Sequence, residues 1–483
     1  MRSPRTLLAA SLATAGMLTL AACGTPASPG THAQLGVDTS KVTTVDVWLA
    51  EYPFPGYLDT RKKLAEEFNA KHPGYRVKIK AFPYTQLPLE VSKAAAQGRA
   101  PAVANYYYST TQLARDARNK AGKPLFTSVE KAIAGRSTIL GEPVVTDDLL
   151  PALRAYYSES GDLRSMPLTA MTSLMYGNKK ILDAAGVDSF PRTWRELERA
   201  CKKVAKLADG PKNCVTWPNH SWFFQQAAAQ QGGLLTDRAG GRDGRATQVE
   251  LNSPEVLSYA SWWEKLHRKG AYLYTGQPGD WGGNFEAFNQ QNVAFVLDSA
   301  NMGGMLAQEG EKAGYKVEAG PVPHNGRTPK TGNLTSGDSL WLKSGLDRRT
   351  RDGALAFMQF LNSTANGAEW HKNTQYLPMT ESSAELLDEQ GWFEQNPAPE
   401  VALEQIRATK DEPGALGPVL GGFTGVENEL TKAMHDVLKD GARPAKRFGL
   451  ADAEGQKILD DYNTRCVGAG PVAPDCLVVG ELG

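Results

Sequence analysis

The spacing of apolar and polar positions changes period several times along this chain, and each change marks an element. Residues 42–49, VTTVDVWL, are β-branched and apolar at alternate places and predict a strand ending near Trp48. Segment 58–71 then brings Leu58, Leu64, Ala65 and Phe68 to one face of a helix and stops at His72-Pro73-Gly74. Residues 75–82 alternate again, with Val77, Ile79 and Ala81 on one side, completing a strand–helix–strand unit. The run 168–176 contains no charge, the pattern of a strand covered on both faces. Beyond it, Thr193 and Glu196 have capping-box spacing ahead of a helix on which Trp194, Leu197, Cys201, Val204 and Ala208 recur at threes and fours. Adjacent Trp262 and Trp263 cannot face the same way, so one is expected in the core. Residues 293–297 predict a buried strand ending on Asp298-Ser299, and 340–342 another. Helices are predicted over 351–362, 398–409, 426–439 and 450–462. Strands interleaved with helices throughout predict an α/β protein.

The ends change this picture. Arg2 and Arg5 precede an apolar stretch, 7–20, the pattern of a secretory signal, and Leu20-Ala21-Ala22-Cys23 at its end resembles a bacterial lipobox. Residues 1–22 are expected to be removed and Cys23 lipidated, with the Pro-, Gly- and Ser-containing stretch 23–40 as a tether. No later run approaches the ~20 apolar residues that a membrane-spanning helix needs. The expected location is the outer face of the cytoplasmic membrane, held by lipid alone.

Composition narrows the partners. Lys plus Arg and Asp plus Glu are 53 each, so no long-range field gathers nucleic acid or an anionic membrane surface. Besides Cys23 there are four cysteines, Cys201, Cys214, Cys466 and Cys476, an even number in an exported chain. Of the three possible pairings, short loops favour Cys201 with Cys214 and Cys466 with Cys476. Neither pair has CxxC spacing and His is sparse, so neither a metal nor any other cofactor is expected.

Several segments carry a resemblance. Pro167-Leu168, the strand end Met175-Tyr176-x-Asn178-Lys179, Ala185-Gly186-Val187 and Pro191-x-Thr193-Trp194-x-Glu196-Leu197 resemble the first segment of lobe two in extracellular solute-binding proteins, the maltose-binding-like receptors of ABC importers. Glu67-Phe68-Asn69-x-x-His72-Pro73-Gly74-Tyr75 is similar to the opening of lobe one, and Gly320-x-x-Pro323 to the return between lobes. Thr374-Gln375-Tyr376-Leu377-Pro378 is close to a T-G-Y-L-P motif, with Gln375 in place of Gly. The resemblance covers about residues 41 to 465. It implies a two-lobed fold with a hinge crossed three times and a ligand cleft between the lobes. Residues 41–165 and 340–362 would form lobe one, 166–339 and 363–465 lobe two, and 466–483 a C-terminal tail.

It also implies cleft positions. The Tyr106-Tyr107 run falls where relatives have a cleft loop, Trp222 lies in an aromatic cleft segment, Asp298-Ser299 at a strand end beside the ligand, and Tyr376 in the third crossing. Glu51 is added because open α/β sheets bind at the carboxyl ends of strands. These seven residues, Glu51, Tyr106, Tyr107, Trp222, Asp298, Ser299 and Tyr376, are the expected ligand-binding set. Aromatic rings interleaved with Asn, Gln, Ser and Asp suit a sugar or polyol, delivered by a monomeric receptor to ABC permease subunits. Gly391-Trp392-Phe393, Asn396-Pro397 and Gly421-Gly422 resemble the glycerol-phosphate-binding branch, which makes glycerol phosphate or a glycerophosphodiester the alternative. That branch has an Arg just before the Gly pair, and residues 415–420 here have none. The rival class, a secreted glycoside hydrolase, needs two carboxylates about 5 to 9.5 Å apart. No nucleophile or metalloprotease motif accompanies such a pair, so an enzyme is not expected.

Overall fold

Val45, Val47 and Leu49, every second residue of the strand Thr43–Glu51, are fully buried, and the strand runs parallel to both neighbours, Tyr75–Pro83 and Val103–Tyr107. This computed structural model describes residues 42–52, 54–468, 472 and 474–477; the expected signal segment, Cys23 and the tether lie outside them. The first sheet has the order Tyr75–Pro83, Thr43–Glu51, Val103–Tyr107, Asp338–Lys343, Phe126–Thr127. Asp338–Lys343 is antiparallel to Val103–Tyr107 and also pairs with Met166–Pro167. The helix Tyr57–Lys71 seals one face with Leu64, Ala65 and Phe68, Phe68 meeting Phe357 and Phe360 edge-on.

The second sheet has the order Tyr272–Leu273, Val215–Thr216, Phe295–Ser299, Ser173–Asn178, Val317–Pro321. All six residues of Ser173–Asn178 are buried, as its lack of charge predicts. The capping box forms: Thr193 Oγ1 accepts from the Glu196 N–H and the Glu196 carboxylate accepts from the Thr193 N–H. The helix Trp194–Val204 buries Trp194, Leu197, Ala200, Cys201 and Val204 but ends before Ala208, which is exposed. Trp262 and Trp263 both turn out to be core. Trp262 stacks on Trp194 at 4.8 Å and Trp263 lies 4.9 Å from Trp217, because neighbours cover this helix on two sides. Cys201 is bonded to Cys214 and Cys466 to Cys476.

The uncharged run is longer than the strand it contains. Residues 168–172 are the first passage between the lobes, and they pair with the second passage, 334–338. Leu168 N–H donates to the Asp338 carbonyl, and Met171 and Ser336 exchange both backbone hydrogen bonds. The third passage comes later than the boundary at 363. The helix Thr364–Thr374 packs on lobe one, where Trp370 meets Tyr57 at 5.3 Å and Arg61 lies 3.5 Å over the Trp370 ring. Thr380 still bridges to Leu149, and only Pro397–Arg407 reaches the second sheet. The reason is the Trp370 anchor, whose burial on lobe one holds the chain there for another thirty residues. Helices Phe423–Asp440 and Pro444–Arg465 finish lobe two, and Val472 and Leu477 then join the lobe-one cluster around Val91.

Candidate functional site

Strand ends from both sheets face one another across a cavity of about 430 Å³. Tyr52 follows the first strand of lobe one, Tyr107 ends the strand Val103–Tyr107 with Tyr108 directly after it, and Asp338 begins the returning strand. From lobe two come Asp298 and Ser299 at a strand end, Trp222 in the first turn of Ser221–Gln231, Trp281 and Phe285 on Trp281–Asn289, and Glu427 on Phe423–Asp440. Trp281 and Phe285 are four apart, so they share one helical face.

The walls are aromatic on both sides. Tyr52 stacks on Tyr84 with centroids 5.2 Å apart, and Tyr376 lies edge-on to Phe54 at 6.3 Å. Opposite them, Trp222 and Trp281 sit 6.0 Å apart. Trp222 is 5 % exposed, and its indole N–H is buried with no acceptor among the described residues. Such a donor is what a ligand hydroxyl could satisfy.

The polar groups are acids and neutral donors. Asp338 is buried at the hinge, where Tyr52 donates to Oδ1 at 2.7 Å while Tyr57 and Thr169 donate to Oδ2 at 3.1 and 3.0 Å. Burial still raises its carboxyl above the usual range. Burial pushes Asp298 up to about 7, with the Ser299 N–H as its one lowering contact. Glu427 is likewise pushed up to about 7 by burial, although Gln225, Tyr108 and Ser221 all reach its Oε1. His220 is pushed down to about 4 by burial and accepts the Trp222 N–H at Nδ1, so at neutral pH it carries no charge. Among the described residues lining the cavity there is no Lys or Arg.

Of the seven residues expected to meet here, Tyr107, Trp222, Asp298, Ser299 and Tyr376 line the cavity. Tyr106 does not. It alternates to the other side of its strand and packs against Phe126 at 5.6 Å and Trp341 at 6.3 Å, 3 % exposed. Glu51 is the last residue of its strand and points to solvent, whereas Tyr52, one place on, turns into the cavity. Sequence reasoning missed Asp338, Glu427 and His220, for which no local pattern exists. The four-residue spacing of Trp281 and Phe285 was the signal that could have found that wall. Gln375, standing where the motif has Gly, adopts φ 63°, the left-handed conformation that swings Tyr376 inward.

Known proteins agree with this architecture. A family model described as bacterial extracellular solute-binding protein matches residues 63–401. The sn-glycerol-3-phosphate-binding periplasmic protein UgpB of Escherichia coli O1:K1 is 27 % identical over 434 residues, covering 88 % of this chain and 94 % of its own length. The K12 protein is 28 % identical over 427 residues, 86 % and 93 % of the two chains. Among solved structures, the cyclic alpha-maltosyl-1,6-maltose binding protein of Arthrobacter globiformis superposes with a TM-score of 0.68 at 18 % identity, covering 87 % of this chain and 99 % of its own. UgpB of Mycobacterium tuberculosis in complex with glycerophosphocholine gives 0.66 at 20 %, with the same coverage. At that identity the two structures support the two-lobed fold, and the match over residues 63–401 settles the family: the chain belongs to the bacterial extracellular solute-binding proteins.

Proposed function

We propose that this protein is the solute receptor of an ABC importer and that its solute is an uncharged polyhydroxylated molecule, a sugar or oligosaccharide. One observation carries the reading: aromatic rings stand on both walls of the cavity, with Asp298, Glu427, Ser299 and Asn301 between them and no cationic side chain among the described lining residues. Rings take the apolar faces of a pyranose, while carboxylates and amides take its hydroxyls. A solute touching both lobes favours the closed state by those differential contacts, and closure is what a permease recognises. The structures it resembles include several sugar binders, and its relatives are named as binding proteins, in keeping with capture rather than catalysis.

A second reading, glycerol phosphate or a glycerophosphodiester, is favoured by the UgpB relatives. Against it, a phosphate in this cavity would meet three acids and no guanidinium among the described lining residues. Attachment through lipid at Cys23, delivery as a monomer, and a ligand role for Tyr107, Trp222, Asp298, Ser299 and Tyr376 belong to the same proposal. Thermal shift and titration calorimetry against mono- and oligosaccharides, glycerol 3-phosphate and glycerophosphocholine test it. Saturable binding of a neutral saccharide is expected; binding of the phosphates alone would replace the first reading by the second.

A further inference from the structure

The cations absent from the solute cavity are gathered at a second one. A cavity of about 210 Å³ opens between the lobes; its described lining carries Arg115, Arg118, Arg164 and Arg245 against Asp116 and Glu159, and just outside it Asp162 accepts from Arg164 Nη1 at 3.3 Å. The helix Thr111–Asp116 and the hairpin that carries Glu159 and Arg164 belong to lobe one, whereas Gly244 and Arg245 come from lobe two. The two acids are not equivalent. Asp116 is already engaged, accepting from Arg245, from Gln112 at 3.1 Å and from the Tyr462 hydroxyl at 2.9 Å. Glu159 is more than a third exposed and approaches Arg115 and Arg164 only to 3.7 and 3.5 Å.

Arg115 is therefore undersupplied. Its side chain is 9 % exposed, its Nη1 makes a long 3.4 Å bond to the Gly241 carbonyl, and its Nε and Nη2 have no hydrogen-bond partner among the described residues. A buried guanidinium with open N–H directions is costly unless an acceptor fills them. Burial also holds Arg115 below its ordinary pKa, and Arg164 adds to this by charge repulsion.

We propose that this cavity is a second ligand site, for a small inorganic oxyanion such as phosphate or sulfate, distinct from the solute cleft. Four guanidiniums against two carboxylates leave a formal surplus of two positive charges among the lining residues. A tetrahedral oxyanion presents several acceptors at once, matching the fork geometry of Arg115 and Arg164. Because Arg245 reaches in from lobe two, an anion held here touches both lobes.

The test is titration of the exported protein with sodium phosphate against sodium chloride at fixed ionic strength, read by calorimetry and by 31P line width. One saturable phosphate is expected. Arg164→Gln and Arg115→Gln should each weaken it about tenfold or more, the loss of one charge-assisted contact. Trp222→Ala, in the solute cleft, should leave it unchanged. Arg164→Gln removes a partly exposed side chain, so it reads the site even if Arg115→Gln does not fold. No saturable binding, or binding that is lost in Trp222→Ala and kept in Arg164→Gln, overturns the assignment.

Discussion

Glu427 offers the sharpest test of the cleft electrostatics. Its carboxyl is buried between Tyr108 of lobe one and Ser221 and Gln225 of lobe two, and its pKa rises from 4.5 to about 7. That rise corresponds to ~3 kcal/mol of preference for the protonated form in the folded state. Between about pH 4.5 and 7 the native state holds a proton that the unfolded state has released, so stability falls as pH rises through this window. Above pH 7 the whole penalty is present. Glu427→Gln keeps the shape and a neutral charge at every pH. The variant should match the wild type near pH 4.5 and exceed its unfolding free energy by about 2 to 3 kcal/mol at pH 8. Asp298, raised from 3.8 to about 7, continues to give the variant a residual slope of the same sign. Urea unfolding at several pH values, without ligand, measures the difference. A difference between the two proteins that does not change with pH would refute the reasoning and show Glu427 to be ionised and fully solvated by its neighbours.

Other outcomes follow from the same geometry. Trp222→Ala removes both a cleft wall and a buried ring, so it should abolish measurable solute binding and also lower apo stability by about 3 kcal/mol, as calorimetry and melts would show. Tyr107→Ala should weaken solute binding at least tenfold while Tyr106→Phe leaves the affinity intact; equal effects would mean that the strand register is wrong. Reducing Cys201–Cys214 reopens a short loop and should cost about 3 kcal/mol, read as an earlier unfolding transition. Cys23→Ser should move the protein from membranes to the medium; retention in the membrane fraction would reject the anchor.

Most of the framework was legible because its signals are local. The capping box at Thr193 and the uncharged run before Lys179 each follow from residues a few places apart. The site was legible only to within one residue at two points. Alternation along a strand sends neighbours to opposite faces, so Tyr106 and Tyr107 cannot be told apart until the sheet is placed against its helices. Glu51 and Tyr52 differ in the same way at a strand end. The boundary near 363 failed for a different reason. Which lobe owns the helix Thr364–Thr374 depends on Arg61 and Trp370, about three hundred positions apart, and no local pattern reports such a contact. Asp338 was hidden likewise, since its partners Tyr52, Tyr57 and Thr169 come from three separate segments.

The pairing of the first two passages has a mechanical consequence. Met171 and Ser336 are bonded to each other in both directions, so two of the connections form one short ribbon rather than independent strings. A ribbon flexes easily about the axis lying across its strands and resists twisting and in-plane sliding, which its hydrogen bonds oppose. Such a ribbon favours relative motion of the lobes as a rotation pivoting beside Asp338 and Thr169, which are themselves hydrogen-bonded at 3.0 Å. Distances change least at a pivot and most at the ends of a lever. For a solute bound in the cleft as proposed, contacts near Asp338 would persist in either state, while Trp281 and Phe285, set on a separate helix of lobe two, would be where it gains leverage over opening and closing.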